Sequence, residues 1–354
     1  MRLTNPLALH LNFSKNFPTT ARIIAFTNEN WRHANDSLKS FVPVAVSKSA
    51  KAGFLKLTLS PHHFIMKQIA VLFFYVTLVF EAHFSSRGQT VIDQQLPGIV
   101  CLSEIQTNPP QRLFIARVDL TNPRLHLRVA PGGPDPDGPG IWETTLMTPT
   151  DIADREHLLL VVNGDFFLAK NIQDAEGAKS GYRAGQWARP EGTAMSDGIT
   201  WSISAKPRPC LVIHKNGKLT MESLTNPGTD DWDVVGGGPI LLRNGAVVDA
   251  PAKPHKKFDG PNPRTAVGLD AGGTTLTLLV VDGRKPGIAN GMTIHELVTE
   301  MQRLGCRDAI NLDGGGSSVL AVRDAATGTM KILNQPTDGR ERAVADVLGI
   351  VLDK

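Results

Sequence analysis

Residues 265–281 have the sequence Thr265-Ala-Val-Gly-Leu-Asp-Ala-Gly-Gly-Thr-Thr-Leu-Thr-Leu-Leu-Val-Val281, and this segment indicates the fold class most clearly. It contains two apolar runs, 265–270 and 275–281, joined through Ala271-Gly272-Gly273. Strand-forming runs separated by a short connection that contains glycine are typical of an antiparallel hairpin. We therefore predict two adjacent antiparallel strands here.

The same pattern recurs in both directions along the chain. Two more pairs of apolar runs flank an Asn-Gly dipeptide, which is a strong signal for a two-residue hairpin turn. Closer to the N-terminus, two runs alternate between apolar and polar residues, as half-buried strands do. The predicted strands are 210–214 with 218–221, 239–242 with 246–248, and 113–120 with 125–130.

Few segments depart from this hairpin pattern. Residues 157–162 form a continuous apolar run, which is typical of a strand buried on both faces. Residues 293–304 have apolar positions at helical spacing, with Thr293 as a capping residue and Gly305 after the end. Strands 308–312 and 318–322 flank a glycine-rich loop. This order predicts an α+β fold, with a mixed, largely antiparallel sheet built of hairpins and few helices, in a single domain over 111–354.

The N-terminal part of the chain has a different character. Residues 69–80 are apolar and uncharged, but a bilayer-spanning helix needs roughly 20 such residues. Lys67 precedes this run and polar residues follow it, as in a secretory signal peptide. We predict a signal peptide or short apolar anchor over 66–90 and a doubtful or disordered leader over 1–65, with Met66 as the true start. A buried apolar helix is the alternative.

Composition excludes several functions. The three cysteines, Cys101, Cys210 and Cys306, are too few and too scattered for a disulfide framework or a thiolate zinc site. The net charge is +3, but residues 1–65 hold eight basic and two acidic side chains, so the predicted domain itself is not basic. No basic stripe with interleaved aromatics occurs, so no nucleic-acid partner is expected. The histidines lack zinc-site spacing, and no metal site or cofactor is predicted.

The glycine-rich loop is the strongest candidate for chemistry. It reads Asn311-Leu312-Asp313-Gly314-Gly315-Gly316-Ser317-Ser318 and follows a predicted buried strand. Glycines let a substrate approach the backbone closely, and exposed loop amides can hold an anionic oxygen. The next element is predicted as a strand, so neither nucleotide-binding glycine motif fits. A plain glycine-rich turn is the alternative.

Four other clusters could contribute to a site. Each has an equally simple structural explanation, namely a turn, a tight bend or a surface ion pair. Arginine is suited to bidentate recognition of phosphate or carboxylate. The clusters are Asn163-Gly164-Asp165, Gly236-Gly237-Gly238-Pro239, Asn262-Pro263-Arg264-Thr265 and Asp282-Gly283-Arg284.

What remains is carboxylates, one arginine and glycine-lined backbone. There is no Gly-x-Ser-x-Gly motif for a serine hydrolase. A pair of carboxylates suits hydrolysis of a glycosidic or phosphoester bond better than acyl transfer. Two alternatives stay open: a non-catalytic carbohydrate-binding domain, and a metal-dependent phosphodiesterase whose carboxylates bind a divalent cation.

Taken together and in order, these motifs resemble those of the phosphodiester glycosidase family. The resemblance covers residue 160 to the C-terminus and extends back to residue 111. Each motif is weak alone, but five in order are specific. They are Asn163-Gly-Asp-Phe-Phe167, Gly236-Gly-Gly-Pro-Ile-Leu-Leu-Arg-Asn-Gly245, Asn262-Pro-Arg-Thr-Ala-Val-Gly268, Val280-Val-Asp-Gly-Arg284 and Asn311-Leu-Asp-Gly-Gly-Gly-Ser-Ser318.

The resemblance implies hydrolysis of a sugar-1-phosphodiester or a related glycosidic bond. Asp313, Asp165 and Asp282 become candidates for acid, base or nucleophile, with one group kept protonated by its surroundings. Asn163 and Asn311 would bind sugar hydroxyls or orient a carboxylate. The remaining expected substrate contacts are Arg264, Gly237, Gly238, Gly314, Gly315, Gly316, Ser317 and Ser318.

Further expectations concern the insert, the compartment and the substrate. Residues 168–200, which include Glu191, form a long insert that could shape another pocket. The short signal and the few cysteines favour bacterial export, so we expect a secreted or periplasmic hydrolase. The expected partner is a carbohydrate or glycosyl-phosphate substrate in an envelope or extracellular polysaccharide, with membrane contact only through the signal segment.

Overall fold

A computed structural model of the chain describes residues 88–171, 181–248 and 260–353. All of them fall within one compact unit. The predicted leader, 1–65, and residues 66–87 of the predicted signal segment lie outside the described residues.

The largest element is an eight-stranded antiparallel sheet. Its spatial order is β1-β2-β3-β17-β16-β18-β14-β15, and every neighbouring pair is antiparallel. The strands are β1 Gly88–Asp93, β2 Ile99–Thr107, β3 Pro110–Asp119, β14 Ile240–Arg243, β15 Ala246–Val247, β16 Arg264–Leu269, β17 Thr275–Val281 and β18 Asp308–Asn311.

The hairpin predicted from residues 265–281 is confirmed and lies at the centre of this sheet. β16 pairs with β17 from Arg264 opposite Val281 to Leu269 opposite Leu276. All six residues of β16 are buried because the sheet is covered on both faces. Two strands, β1 and β2, lie before residue 111, so the sheet begins upstream of the predicted domain start.

Two five-stranded sheets oppose the large sheet across the core. One has the order β10-β9-β13-β11-β12 and the other β20-β19-β6-β21-β4. The first comprises β9 Ala194–Ser196, β10 Ile199–Ser202, β11 Arg208–His214, β12 Leu219–Leu224 and β13 Asp231–Gly236. The second comprises β4 Leu125–Pro131, β6 Leu160–Asn163, β19 Leu320–Arg323, β20 Met330–Ile332 and β21 Asp346–Leu352.

The remaining elements are small. A three-stranded sheet consists of β5 Thr144–Thr145, β7 Phe167–Ala169 and β8 Trp187–Pro190 in the order β5-β8-β7. The predicted helix is confirmed as α2, Ile294–Arg303, where Thr293 and Glu296 form a capping box. A second helix, α1 at Pro149–Arg155, was not predicted because its seven residues are too few for a visible periodicity.

The layers follow the alternation of apolar side chains. One face of the large sheet packs against both five-stranded sheets, as Val267, Leu211 and Leu348 share one core cluster. Its other face packs against α2, through residues such as Leu279 and Met301. Helix α1 covers the outer face of the second five-stranded sheet. The described residues therefore form a mainly β fold, with two helices on its outer faces.

One part of the fold prediction is wrong. The sheet was expected to be mixed, but every strand pair among the described residues is antiparallel. The continuous apolar run in β6 reflects burial on both faces between antiparallel neighbours, β19 and β21. No helix among the residues described has the length and apolar character needed to cross a membrane.

This topology brings several strand ends to one place. β21 begins at Asp346 beside the end of β6, where Val347 lies opposite Asn163. β18 ends at Asn311, opposite Ala266 near the start of β16. Polar residues that are far apart in sequence therefore meet at one edge of the core.

Candidate active site

Asp313 lies at the centre of the loop that leaves β18. Its amide donates to the Gly164 carbonyl at 3.0 Å, and its carbonyl accepts from Asn163 Nδ2 at 2.7 Å. Both main-chain groups of Asp313 are thus held by the turn after β6. The residue as a whole is half-buried.

Asn163 has a positioning task in this arrangement. The residue is fully buried, and its Oδ1 accepts from Thr265 Oγ1 at 2.8 Å and from the Val319 amide at 3.3 Å. Together with the Asp313 contact, these bonds use both ends of the side-chain amide. Of the two roles expected for Asn163, the contacts agree with orienting a carboxylate rather than binding a sugar hydroxyl.

The environment of Asp313 suits acid–base chemistry. Burial raises the pKa of its carboxyl group from 3.8 to about 6, although the Ser317 hydroxyl, the Gly314 amide and Arg342 oppose the rise. The Gly314 amide donates to Asp313 Oδ1 at 2.8 Å. A carboxyl group that titrates near the working pH can accept and release protons efficiently.

Asp165 lies behind Asp313, next to a carboxyl group that the sequence analysis did not single out. This is Asp346, the first residue of β21. The Asp165 amide donates to Asp346 Oδ1 at 2.7 Å, and Asp165 Oδ2 accepts from the Gly192 amide at 2.5 Å. Asp165 is 2% exposed and Asp346 is 0% exposed. The two carboxyl groups therefore form a buried pair.

Burial makes ionisation of this pair unfavourable. It raises the pKa of Asp346 from 3.8 to about 7, and the negative charge of Asp313 adds to the rise. Burial and the nearby Asp346 carboxyl group hold the pKa of Asp165 well above its usual range. Burial thus disfavours the ionised form of both carboxyl groups.

The structure does not bring Asp282 into direct contact with this cluster. Asp282 is buried at the end of β17, where Oδ1 accepts from Asn334 Nδ2 and the Gln335 amide, both at 3.1 Å. Burial raises the pKa of its carboxyl group. These contacts fasten the 334–335 segment, and they give no support to the predicted role of Asp282 as acid, base or nucleophile.

Arg264 is also placed differently from what the sequence suggested. It is 4% exposed, and its guanidinium donates to the carbonyl groups of Met292 at 2.8 Å and Gly260 at 3.0 Å. A guanidinium enclosed by backbone acceptors stabilises the loops around it. This placement does not fit the predicted contact with phosphate.

Two other arginines, Arg342 and Arg284, face the glycine-rich loop. Arg284 belongs to the predicted cluster Asp282-Gly283-Arg284 but was not expected to contact phosphate, and Arg342 was not predicted at all. The Arg342 guanidinium packs directly on Gly316, where a β-carbon would collide with it. The Arg284 guanidinium lies over Gly315, with Nη2 only 3.0 Å from the position of a β-carbon there. Because these glycines lack side chains, both cations reach the loop that carries Asp313.

Arg342 is held in a defined orientation. Its Nη2 donates to Asp338 Oδ2 at 2.8 Å, and its guanidinium carbon lies 4.6 Å from the centre of the Tyr182 ring. Arg284 Nη2 donates to Asn262 Oδ1 at 3.0 Å. The sequence gives only one indication of this role: both arginines lie in polar loops.

The Gly236–Gly238 segment serves close packing. The Gly238 amide donates to the Asn311 carbonyl at 2.7 Å, and Asn311 Nδ2 donates back to the Gly238 carbonyl at 2.8 Å. A β-carbon on Gly237 would lie 2.6 Å from the Asn311 carbonyl oxygen. Gly237, Gly238 and Asn311 thus join the end of β13 to the end of β18, directly beneath the Asp313 loop.

Gly314, Ser317 and Ser318 complete the loop. A β-carbon on Gly314 would lie 2.7 Å from the Pro263 carbonyl oxygen, so only glycine fits there. Residues Gly315–Ser317 form one turn of 3-10 helix rather than an open loop. Ser317 and Ser318 are buried, and the Ser318 hydroxyl has no hydrogen-bond partner among the described residues.

The predicted insert contributes to the same region. Glu191 follows β8, and its carboxylate pairs with Arg208 at 2.8 Å. The charge of Glu191 raises the pKa of Asp313, whereas Arg208 lowers that of Asp165. Across the described ranges, no three acidic, histidine or cysteine side chains are grouped as a metal ion would require.

Comparison with known proteins gives one family and a few relatives. The catalytic domain of zebrafish N-acetylglucosamine-1-phosphodiester alpha-N-acetylglucosaminidase, solved in a form auto-inhibited by its pro-peptide, is 19% identical. It matches 77% of this chain and 91% of its own length, with a TM-score of 0.52, and so it shows a shared fold.

A prophage-derived uncharacterised protein of Bacillus subtilis, YomE, is 40% identical over 89 residues. That match covers 25% of this chain and only 13% of the YomE chain. The family model described as phosphodiester glycosidase matches residues 156–351, which is more than half of the chain and includes Asp165, Asp313 and Asp346. The chain belongs to the phosphodiester glycosidase family.

Proposed function

We propose that the protein is a secreted hydrolase that cleaves the bond between an anomeric carbon and a phosphodiester oxygen. Membership of the phosphodiester glycosidase family supports the reaction class. The observation that carries the proposal is the carboxyl group of half-buried Asp313, in a glycine loop flanked by two guanidinium groups.

Asp313 is the carboxylate that we assign to the reacting carbon. With a pKa of about 6, it is mostly ionised at pH 7 and can act as a base or a nucleophile. Asp165 and Asp346 are enclosed, so neither reaches a substrate from its position in the structure. Because Asp313 is the least buried of the three, we assign the reaction with substrate to it and not to Asp165 or Asp346.

We propose that Arg342 and Arg284, and not Arg264, bind the phosphate group of the substrate. Planar guanidinium groups match the oxygen geometry of phosphate, and they stabilise the negative charge that builds on the leaving group. Water supplies a hydroxyl group to the anomeric carbon, and the carbon–oxygen bond to phosphate breaks. The products are a free sugar and a phosphate monoester.

The compartment and the natural substrate are part of the same proposal. The apolar run at 69–80 with a preceding lysine supports export, and export supports a bacterial envelope or extracellular polysaccharide that bears glycosyl phosphate. We propose that a carbohydrate or glycosyl-phosphate chain is the partner and that the protein acts in a secreted or periplasmic setting.

A turnover assay tests the proposal. The substrates are methyl diesters of sugar 1-phosphates and aryl glycosides that lack phosphate, each with and without a chelator. We expect the diesters to be hydrolysed, with no loss of rate in the chelator. Loss of rate would support the metal-dependent phosphodiesterase. The absence of turnover across the panel would contradict the proposal and favour a carbohydrate-binding domain.

Arg342→Gln tests the phosphate assignment. A lost charged hydrogen bond costs about 1.5–3 kcal/mol, so KM for a diester should rise about 10- to 100-fold. Turnover of any aryl glycoside should not change, since it has no phosphate. Arg124→Gln, an exposed arginine whose guanidinium binds the Asp353 carbonyl, is the matched control. An unchanged KM in Arg342→Gln would contradict the assignment.

A further inference from the structure

We propose that Asp165 and Asp346 retain a shared proton in the folded protein, and that this buried pair positions Asp313 for the reaction. Asp346 thereby becomes a positioning residue. The inference rests on the proposed function only where it concerns turnover, whereas the shared proton is a property of the fold itself.

In the described part of the chain, each carboxyl group of the pair has one buried oxygen without a hydrogen-bond partner. Asp165 Oδ1 and Asp346 Oδ2 have no hydrogen-bond partner among the described residues, although the other oxygen of each group has one. An unpartnered buried carboxylate oxygen is costly. A proton retained by the pair removes one buried charge and turns one of these oxygens into a hydrogen-bond donor.

The second observation is that glycines enclose the pair. A β-carbon on Gly164 would collide with Asp346 Oδ1, and one on Gly236 would collide with Asp165 Oδ2. A β-carbon on Gly192 would lie 2.8 Å from Asp165 Oδ2. Three close backbone approaches leave little room for the carboxyl groups to move apart, so two negative charges would have to remain adjacent.

The third observation is the set of charges around the pair. Asp313 faces Asp346, while Arg208 and the thiol of Cys210 face Asp165. Arg208 is the one cation in this set, and it is already paired with Glu191 at 2.8 Å. Arg342 acts on Asp313, and Arg208, the cation that faces Asp165, is partly neutralised by Glu191. Retention of a proton by the pair is therefore favoured over full ionisation.

The pair is connected to Asp313 through the turn at 163–165. The Asp346 carbonyl accepts from the Gly164 amide at 3.0 Å, and Asp346 Oδ1 accepts from the Asp165 amide. The Gly164 carbonyl in turn accepts from the Asp313 amide. Loss of the shared proton would make the two carboxylates repel each other, strain this turn and displace Asp313.

The closing experiment uses the full chain with Asp165→Asn, Asp346→Asn and the double variant. An amide has the shape of a protonated carboxyl group, so each single variant keeps a donor in the pair but cannot carry two charges. The exposed Asp230→Asn is the control. Melting temperature and kcat/KM are measured from pH 5 to pH 9.

We expect the melting temperature of the wild type to fall as pH rises, because the folded protein retains protons that the unfolded chain releases. This fall should be smaller in each single variant and smallest in the double variant. We also expect the single variants to turn over more slowly, with the alkaline limb of kcat/KM moved upward by about one pH unit or more. A purely structural role would lower the melting temperature but leave that limb in place.

Infrared spectra of protein labelled with carbon-13 aspartate provide a readout that needs no variant to fold well. At pH 7 the wild type should show a carboxylic acid band, and the double variant should lack it. Equal pH slopes in wild type and double variant, or no acid band in the wild type, would overturn the proposal. If the melting temperature depends on pH as expected but no substrate is turned over, the shared proton stands and only the proposed function is rejected.

Discussion

Replacing Gly236 with alanine tests the packing that holds the buried carboxyl groups. Gly236 ends β13 and lies against Asp165 and Gly192. A β-carbon there would lie 2.7 Å from Asp165 Cγ, closer still to Asp165 Oδ2, and 2.9 Å from Gly192 Cα. Backbone on one side and an enclosed carboxyl group on the other leave the new methyl group no space.

Two contributions determine how much stability Gly236→Ala should lose. Inserting a methyl group into a filled core costs about 1–3 kcal/mol. Displacing Asp165 also breaks its 2.5 Å bond from the Gly192 amide, and a buried hydrogen bond lost to an acidic group costs about 1–3 kcal/mol. We expect a loss of about 2–6 kcal/mol in the free energy of unfolding, which lowers the melting temperature by about 4–24 °C.

Urea unfolding at pH 7 measures this loss directly. Gly272→Ala is the matched control, because a β-carbon there meets only Thr274 side-chain atoms at 3.4 Å and an Asp270 oxygen at 3.9 Å. The control should change stability by no more than about 0.5 kcal/mol. If Gly236→Ala proved as stable as Gly272→Ala, the described packing around Asp165 would be refuted.

Two further predictions concern buried charges. Arg264→Gln should lower the free energy of unfolding by about 3 kcal/mol, seen in urea unfolding, with little effect on KM, because its guanidinium binds the carbonyl groups of Met292 and Gly260; a large KM effect in a stable variant would contradict this. The raised pKa of Asp346, about 7 instead of 3.8, should make the folded protein lose about 4 kcal/mol between pH 4 and pH 8. Urea midpoints should show a smaller loss in Asp346→Asn, and equal losses would argue against the assignment.

Much of the fold could be predicted because hairpins are local. The Asn216-Gly217 turn joins β11 and β12, and the run at 265–281 forms the central hairpin, as residue alternation and turn chemistry indicate. The sheet type could not be predicted in the same way. The buried strand β6 has antiparallel neighbours, and burial on both faces hides the alternation that normally distinguishes the two sheet types.

The site was predictable where a polar residue interrupts a glycine-rich or apolar pattern. The loop at 311–318 and the turn at 163–165 do meet, with 3.0 Å between the Asp313 amide nitrogen and the Gly164 carbonyl oxygen. Asp346 was not predicted as a site residue. It is the acidic residue in the apolar stretch 343–352, and an acidic residue in such a stretch indicates a buried charge.

The arginines show what spacing alone cannot decide. Arg264 lies in a strand and turns its guanidinium toward backbone carbonyl groups, whereas Arg342 lies in a loop and packs on Gly316. Both are arginines beside polar residues in the sequence. Only tertiary structure determines which guanidinium is enclosed and which lies next to the loop of Asp313.

The assignment of Asp313 as the reacting carboxylate can be tested by the pH dependence of kcat/KM on a sugar-1-phosphate methyl diester, measured for the wild type and for Asp313→Asn. The wild-type kcat/KM should rise through about pH 6, where Asp313 loses its proton. Asp313→Asn should lack this rise and be slower by about 10²- to 10⁴-fold. Its melting temperature at pH 7 should be no lower than that of the wild type, because the substitution removes a charge whose burial is unfavourable. A folded Asp313→Asn variant that keeps both the wild-type rate and the rise near pH 6 would show that Asp313 is not the reacting carboxylate.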